Sequence, residues 1–137
     1  MNSSRYVHLR LHSEYSITDG IVRIADAVKA ASADAMPALA LTDLGNLFGL
    51  IKFYSSARGK GLKPIAGADV WMSGGEAGEP ASRLLLLVRN RQGYRQLCEL
   101  LTRAYVADGR RDRAEIRREW LLQIGCDGLI ALSGGHQ

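Results

Sequence analysis

The chain has 137 residues, of which 47% are hydrophobic and 23% are charged, and its net charge is +4 at pH 7. This balance predicts a globular domain with a core and excludes an intrinsically disordered chain. No apolar run reaches signal-peptide length or the roughly 20 residues of a membrane-spanning helix, so we expect a cytoplasmic protein without membrane contact. Cys98 and Cys126 lie far apart without a metal-ligand spacing, which favours buried free thiols over a disulfide or a zinc site.

Strand-like and helix-like segments alternate along the chain. The predicted strands cover residues 6–11, 36–43, 62–72, 83–90 and 128–135, and the predicted helices cover residues 21–35, 47–61, 91–107 and 112–125. This order predicts an α/β fold with parallel strands. The strand at residues 83–90 is apolar over most of its length, which predicts burial on both of its faces.

Helical spacing assigns a buried face to each of the first three helices. The members are Ile21, Ile24, Ala27 or Val28, and Ala31 in the first, Leu47, Leu50 or Ile51, Tyr54 and Ala57 in the second, and Tyr94, Leu97, Leu101 and Ala104 or Tyr105 in the third. Asp112, with Glu115 three residues later, indicates the start of the fourth helix because this spacing resembles a capping box.

Polar residues follow several of the predicted strands. His12 and Asp19 come after the first strand, Asp43 ends the second, and Asp69 lies in the third. Because the loops after parallel strands meet at one edge of the fold, these residues form a candidate site there. The alternative is that each aspartate is a cap or turn residue, which is the commoner role for an aspartate after a strand.

His8, Arg10 and His12 alternate in the first predicted strand, so we expect their side chains to share a face. Paired histidines at this spacing suit a metal site, but an arginine between them carries a permanent positive charge and cannot bind a cation. We interpret His8 as a structural residue, since an isolated imidazole more often satisfies a hydrogen bond than binds metal.

The positive charge is concentrated between Arg103 and Arg118, where six arginines face three acidic residues. Such a run can contact nucleic-acid phosphates, and Arg110, Arg111 and Arg113 are the candidates for that contact. The alternative is a solvated loop and helix start. The run lacks interleaved aromatic residues, which argues against binding of single strands.

The segments VHLRLHSEYSITDG, PALALTDLGNLFGLIKFY, GLKPIAGADV, RLLLLVRNRQGYRQLCELLTRAY and GLIALSGG resemble the amino-terminal PHP (polymerase and histidinol phosphatase) domain of bacterial DNA polymerase III alpha subunits, of the proteobacterial type. The resemblance implies that residues 1–137 form the first part of a distorted (β/α)7 barrel. It also implies that the parent protein is a DNA-directed DNA polymerase, a nucleotidyltransferase of DNA replication. Active PHP domains bind up to three metal ions and cleave phosphoesters.

The resemblance also implies that the metal site of this chain is degenerate. The family's H-x-H motif falls on Arg10 and His12, the aspartate before the turn glycine is Asp19, and the T-D-H-G-N motif reads T-D-L-G-N from Thr42 to Asn46. Three further positions depart from the family pattern: Leu44 for a histidine, Asp69 for a glutamate and Arg83 for a histidine. The ligands that the resemblance implies as retained in these 137 residues are His12, Asp19 and Asp69, with Asp43 as a further position of the degenerate site, and other family ligands would lie beyond Gln137.

These substitutions all weaken the binding of a metal ion. Leu44 removes a lone pair, while Arg10 and Arg83 bring positive charge, and a unit charge about 4 Å away repels a divalent ion by about 8 kcal/mol at an effective dielectric near 20. We therefore expect arginine to pair with Asp19, Asp43 or Asp69 and to occupy the former metal site, with no cofactor bound. A divalent metal such as Zn²⁺, Mn²⁺ or Mg²⁺ is expected only if the site is still active.

The resemblance implies a noncatalytic scaffold that docks the epsilon proofreading exonuclease subunit through an exposed apolar patch. Other implied partners are the remainder of the polymerase III alpha chain and DNA, contacted through the holoenzyme. Exposed strand edges of a partial barrel also predict a possible homodimer. The alternative function is a residual metal-dependent phosphoesterase or 3'-5' exonuclease that uses His12, Asp19 and Asp69 to hold a metal-bound hydroxide.

Overall fold

The computed structural model describes residues 6–74, 78–107 and 114–134. After a 3₁₀ turn at Glu14–Ser16, the elements are α1 (Ile24–Ala33), β1 (Ala38–Leu41), α2 (Leu50–Gly59), β2 (Lys63–Ser73), β3 (Ser82–Val88), α3 (Arg91–Ala107), β4 (Glu115–Arg117), α4 (Arg118–Ile124) and β5 (Leu129–Ser133). Strands alternate with helices for most of the chain, which confirms the predicted α/β class. No helix in the described ranges is long and apolar enough to cross a membrane.

The chain divides into two compact units between Gly67 and Ala68, here called the first and the second unit. In the first unit, β1 pairs in parallel with residues 63–66 of β2, and α1 packs against α2 and β1. The core of this unit is formed by Ile24, Val28, Ala31, Leu39, Leu41, Phe53, Ala57 and Leu62.

In the second unit, the sheet order is β2–β3–β5, and β4 pairs in parallel with β2 over residues 71–73. Helix α3 packs on β3, β4 and β5. Leu85, Leu86 and Leu87 are all buried, which confirms the prediction that this strand is covered on both faces. The prediction of parallel strands is wrong for β5, which runs antiparallel to β3.

The first predicted strand is not a strand in the structure. Residues 6–11 run beside β1 without a regular ladder, although the amides of Ala40 and Thr42 donate to the carbonyls of His8 (3.0 Å) and Leu11 (2.9 Å). His8 is exposed, and its ring meets the ring of Tyr6 edge-on at 4.7 Å between centroids. The strict alternation inferred for residues 8, 10 and 12 therefore does not apply.

The fourth predicted helix is wrong in its first part. Residues 115–117 are extended because they pair with β2, so Glu115 lies buried in β4 instead of capping a helix. Helix α4 then begins at Arg118. The proposed capping partner, Asp112, lies outside the described residues.

Some of the predicted helix faces are also wrong. Ile21 lies before α1 and is 94% exposed, while Ile51 in α2 is 82% exposed. Ala57 is buried as predicted, together with Phe53, which the prediction did not include. Ile51, two residues before Phe53, stands about 200° around the helix from it. In α3, Leu97 and Leu101 are buried as predicted, whereas the two predicted tyrosines are exposed. Both cysteines are free thiols, as predicted, but the expected burial is wrong, because Cys98 is partly exposed and Cys126 is exposed.

Candidate functional site

A tight loop in the first unit carries two of the predicted metal ligands. The Ser13 hydroxyl accepts from the Tyr15 amide at the start of the 3₁₀ turn, and Ser13 forms a parallel bridge with Val22. The Glu14 amide also donates to the Val22 carbonyl at 2.8 Å. Gly20 lies against the Ser13 carbonyl, with no room there for a β-carbon. The loop is therefore closed by its own backbone.

Closure of this loop brings His12 and Asp19 together. His12 Nδ1 lies 3.0 Å from Asp19 Oδ2, and the two side chains are 14% and 37% exposed. A carboxylate on one ring nitrogen fixes the ring and leaves the other nitrogen to face a further partner, which is how metal-binding histidines are oriented. The pair supplies at most two ligands, so it is not by itself a three-ligand site.

Asp43 is buried and fully engaged by the same loop. Its Oδ1 accepts from the Ser13 amide at 2.6 Å and the Ser16 hydroxyl at 2.8 Å, and its Oδ2 accepts from the Ser13 hydroxyl at 2.9 Å. The Leu44 amide in turn donates to the Ser16 hydroxyl at 3.0 Å. Asp43 therefore acts as a turn residue that holds the loop, the commoner of the two roles considered for it.

The other polar residues of the T-D-L-G-N motif also hold the loop in place. Thr42 Oγ1 accepts from the Leu11 amide at 2.9 Å, and Asn46 Nδ2 donates to the Tyr15 carbonyl at 2.8 Å. Both contacts join residues 31 apart in sequence. The sequence carried no separate signal for these partners, because backbone groups look alike in any sequence.

Asp69 and Arg83 form a buried ion pair in the second unit. Arg83 Nε donates to Asp69 Oδ1 at 3.3 Å and its Nη2 donates to Oδ2 at 2.9 Å, so the guanidinium engages both carboxylate oxygens. The Arg83 side chain is 3% exposed and the Asp69 side chain is 0% exposed. The guanidinium carbon also stands 4.8 Å from the centre of the Trp71 ring, a cation–π contact.

This pair has consequences for metal binding at Asp69. A forked arginine–carboxylate contact is among the strongest hydrogen-bonded ion pairs, and here it is removed from water. A cation that approached Asp69 would have to displace the guanidinium or bear its repulsion. An arginine was predicted to pair with Asp19, Asp43 or Asp69, and the structure shows such a pair between Arg83 and Asp69.

Arg10 is exposed and lines a groove of about 290 Å³ in the first unit. The groove lies between α1 and the residues before β1, and its other lining residues are His8, Leu11, Ala27, Ala30, Ala31, Asp34, Met36 and Leu39. Pairing of Arg10 with one of the predicted aspartates stays a prediction.

The donor set does not fit a resident metal ion. Among residues 6–74, 78–107 and 114–134, no group of three or more histidine, cysteine, aspartate or glutamate side chains is arranged to hold one. The acceptors of Asp43 are filled by neutral donors, those of Asp69 are filled by Arg83, and Leu44 offers no lone pair. Arg110, Arg111 and Arg113, the predicted phosphate contacts, lie outside the described residues.

Two solved structures share this fold. The chain superposes on an amidohydrolase from Chromobacterium violaceum, solved with bound sulfate and no metal, with a TM-score of 0.57 at 24% identity, covering 74% of this chain and 34% of the other. A candidate metal-dependent phosphoesterase from Bifidobacterium adolescentis gives a TM-score of 0.58 at 14% identity, covering 80% and 37%. At these identities the likeness shows a shared α/β fold.

The family model for the PHP domain matches residues 8–137, so this chain belongs to the PHP domain family. It is also 48% identical over 132 residues to the DNA polymerase III subunit alpha of Pseudomonas fluorescens, 47% over 137 residues to that of Neisseria meningitidis serogroup A, and 44% over 136 residues to that of Escherichia coli K12. These alignments cover 96–99% of this chain but only 11–12% of the relatives' length.

Proposed function

We propose that this chain is the first part of the PHP domain of a replicative DNA polymerase alpha subunit and that it acts there as a noncatalytic scaffold. The similarity to three alpha subunits over nearly the whole chain supports the assignment to that protein. Nucleotide polymerisation would then belong to the remaining parts of the longer protein. The contribution of the 137-residue chain itself would be structural.

The observation that carries the noncatalytic role is the buried pair of Arg83 with Asp69. The guanidinium supplies the positive charge that a metal ion would otherwise bring to this carboxylate, and both oxygens are bonded to it. A metal-dependent phosphoesterase needs an open metal position and about three protein ligands to generate a hydroxide nucleophile. With Asp69 engaged, His12 and Asp19 remain as a pair of ligands.

The second candidate is the residual phosphoesterase or 3'-5' exonuclease. It is favoured by the contact of His12 with Asp19, which orients the imidazole as in a metal site. For this function Asp69 would have to release Arg83 and turn toward a metal. The two candidates therefore differ in whether the ion pair opens.

Hydrolysis measurements separate these two candidates. The chain is assayed on bis(p-nitrophenyl) phosphate and on the 3' end of a labelled single strand, with Zn²⁺, Mn²⁺ or Mg²⁺ added, beside the variant His12→Ala. We expect no hydrolysis above the metal-only blank for either protein. Hydrolysis that the wild-type chain shows and His12→Ala loses would contradict the noncatalytic role.

Docking of the epsilon exonuclease is the partner function we propose for the scaffold. Its support in the structure is an exposed apolar stripe on α2: Phe48 is 67%, Ile51 82% and Tyr54 52% exposed. Residues 51 and 54 are three apart and so lie on one side of the helix, and residue 48 lies just before its first turn. Exposed apolar groups in a row are typical of protein-binding surfaces.

This docking is tested with the full-length alpha subunit and its epsilon partner by surface plasmon resonance. The double variant Phe48→Ser, Ile51→Ser is compared with a matched variant in the second unit, Leu122→Ser, Ile130→Ser. We expect the first pair to weaken epsilon binding at least tenfold and the second pair to leave it unchanged. Equal binding by both variants and the wild-type protein would contradict docking at this stripe.

A further inference from the structure

The solvent face of α3 combines arginines with exposed aromatic rings. Arg91, Tyr94 and Arg95 stand at helical spacings of three and four, and Tyr105 returns to the same side three turns later. Tyr94 is 42% and Tyr105 is 55% exposed. The buried residues of this helix begin directly beside the tyrosines, since Leu101, seven residues after Tyr94, lies only about 20° from it around the helix. The two rings therefore stand at the border between the core and the exposed arginines.

The charge on this face is not neutralised by the helix itself. Glu99 is the acidic residue of α3, and it is bonded by Arg103 at 3.0 Å. Within the described parts of the chain, no carboxylate lies within salt-bridge distance of Arg91, Arg95 or Arg89, which precedes the helix. Three positive charges therefore stand together within seven residues.

Neighbouring groups hold this surface in place. The Asn90 side chain accepts from the Gly93 amide at 2.9 Å and caps the first turn of α3, so that backbone donor is already used. The nearby carboxylate of Asp127 is bonded by Gln96 at 2.9 Å. A side-chain hydrogen bond with Cys98 raises the pKa of Tyr94 above its ordinary value.

We propose that α3 presents a binding surface for single-stranded nucleic acid, in which Arg89, Arg91 and Arg95 contact phosphates and Tyr94 and Tyr105 stack on bases. Positive charge interleaved with aromatic rings is the pattern that binds single strands without sequence preference. The two tyrosines are eleven residues apart, which is about 16 Å along a helix, a span of several nucleotides. The arginines at residues 91 and 95 lie one turn apart, about 5–6 Å between β-carbons.

The aromatic residues favour this ligand over two others. In a duplex the base faces are stacked inside, so exposed tyrosines would add little to binding. An acidic protein would pair with the arginines but would not need the rings. The proposed surface consists of other residues than the predicted contacts at Arg110, Arg111 and Arg113, and it does not depend on whether a metal binds elsewhere.

The test measures binding of a fluorescein-labelled (dT)12 strand to the 137-residue chain by anisotropy, at several NaCl concentrations. We expect the triple variant Arg89→Gln, Arg91→Gln, Arg95→Gln to bind at least tenfold more weakly. Its slope of log K against log salt should be smaller by about 2, since each phosphate contact to a single strand contributes about 0.7.

The tyrosines give a different signature. Tyr94→Ala with Tyr105→Ala should weaken binding about fivefold or more without changing the salt slope, and Tyr94→Phe with Tyr105→Phe should retain it. Arginine-to-lysine replacement at residues 89, 91 and 95 should keep most of the affinity, which guards against a loss caused by misfolding.

A matched triple variant, Arg23→Gln, Lys29→Gln, Lys60→Gln, removes the same charge from exposed positions of the first unit. The proposal is supported if this variant binds as the wild-type chain does. It is overturned if both triple variants lose affinity equally, if only neutralisation of Arg110, Arg111 and Arg113 removes binding, or if poly-glutamate competes as well as (dT)12. None of these outcomes bears on the hydrolysis measurements that test the proposed noncatalytic role.

Discussion

The two units each bury one aspartate next to a strand or within one, and they satisfy it in different ways. In the first unit, Asp43 accepts hydrogen bonds from the amide of Ser13 and from two serine hydroxyls, all of them neutral donors. In the second unit, Asp69 is bonded on both oxygens by the guanidinium of Arg83. Neutral donors hold a loop in shape, whereas a guanidinium also cancels the charge.

This difference separates a carboxylate held by neutral donors from one that is paired with a positive charge. A hydroxyl that bonds a carboxylate can rotate away at little electrostatic cost, but a buried guanidinium cannot leave without two uncompensated charges. Arg83 is thus an internal cation at a position where the family resemblance implies a metal ligand. Both carboxylate oxygens of Asp43, by contrast, accept hydrogen bonds from the loop and hold its shape.

The largest effect is expected from breaking the ion pair on one side. Arg83→Gln leaves the Asp69 carboxylate buried without its cation, and loss of one partner of a buried pair costs about 3–5 kcal/mol of unfolding free energy. Urea denaturation followed by circular dichroism measures the loss. The double variant Asp69→Asn, Arg83→Gln removes both charges and should recover most of it. A single variant within 1 kcal/mol of the wild-type chain, about the value of an exposed pair, would contradict the account.

The corresponding change in the first unit should cost somewhat less. Asp43→Ala removes the acceptor of three hydrogen bonds and leaves the Ser13 and Ser16 donors buried, which we expect to cost about 3 kcal/mol. Denaturation gives the free energy, and limited proteolysis within residues 13–22 reports opening of the loop. Asp19→Asn, on the exposed side of the same loop, serves as the control. Faster cleavage in the control than in Asp43→Ala would contradict the assigned role.

A smaller effect is expected from Gly20. A β-carbon there would collide with the Ser13 carbonyl, so Gly20→Ala must displace backbone and should cost about 1–3 kcal/mol. Gly59→Ala is the matched control, because a β-carbon at Gly59 meets open space and alanine favours helix by about 0.5–1 kcal/mol. Thermal unfolding should therefore move in opposite directions for the two variants. The same direction for both would show that the loop is not closed as described.

The smallest effect is a pH dependence in the second unit. The hydrogen bond from Gln96 holds the pKa of Asp127 below its usual value, so the ionised form is favoured in the folded state. Its stabilisation is present above the unfolded pKa of about 3.9 and is lost as the pH falls through the lower folded value. Melting temperatures of wild type and Asp127→Asn should differ slightly at pH 6 and converge below about pH 3. A difference that grows on acidification would have the wrong sign.

The elements that sequence patterns predicted well are those decided by local burial. The apolar run of β3 and the long amphipathic helix α3 follow directly from their spacing. The strand β4 could not be predicted, because it exists through pairing with β2 more than forty residues earlier. Residues 6–11 alternate like a strand, yet few hydrogen bonds join them to β1.

The candidate site shows the same limit. The resemblance supplied the positions of Asp43, Asp69 and Arg83, but it did not determine which arginine pairs with which aspartate. That choice depends on the geometry of β2 and β3, which bring residues fourteen apart into contact. The serine partners of Asp43 lie 27 and 30 residues away, and their hydroxyls carry no distinguishing signal.

The proposed noncatalytic role requires that the Asp69 carboxylate, which is paired with Arg83, no longer holds a metal ion. It is tested most directly by calorimetric titration of the metal-stripped chain with Zn²⁺ and Mn²⁺, with His12→Ala as the control. We predict no binding, or weak binding that is the same in both proteins. Micromolar or tighter binding that His12→Ala abolishes would show that the site still holds a metal, and would contradict the account.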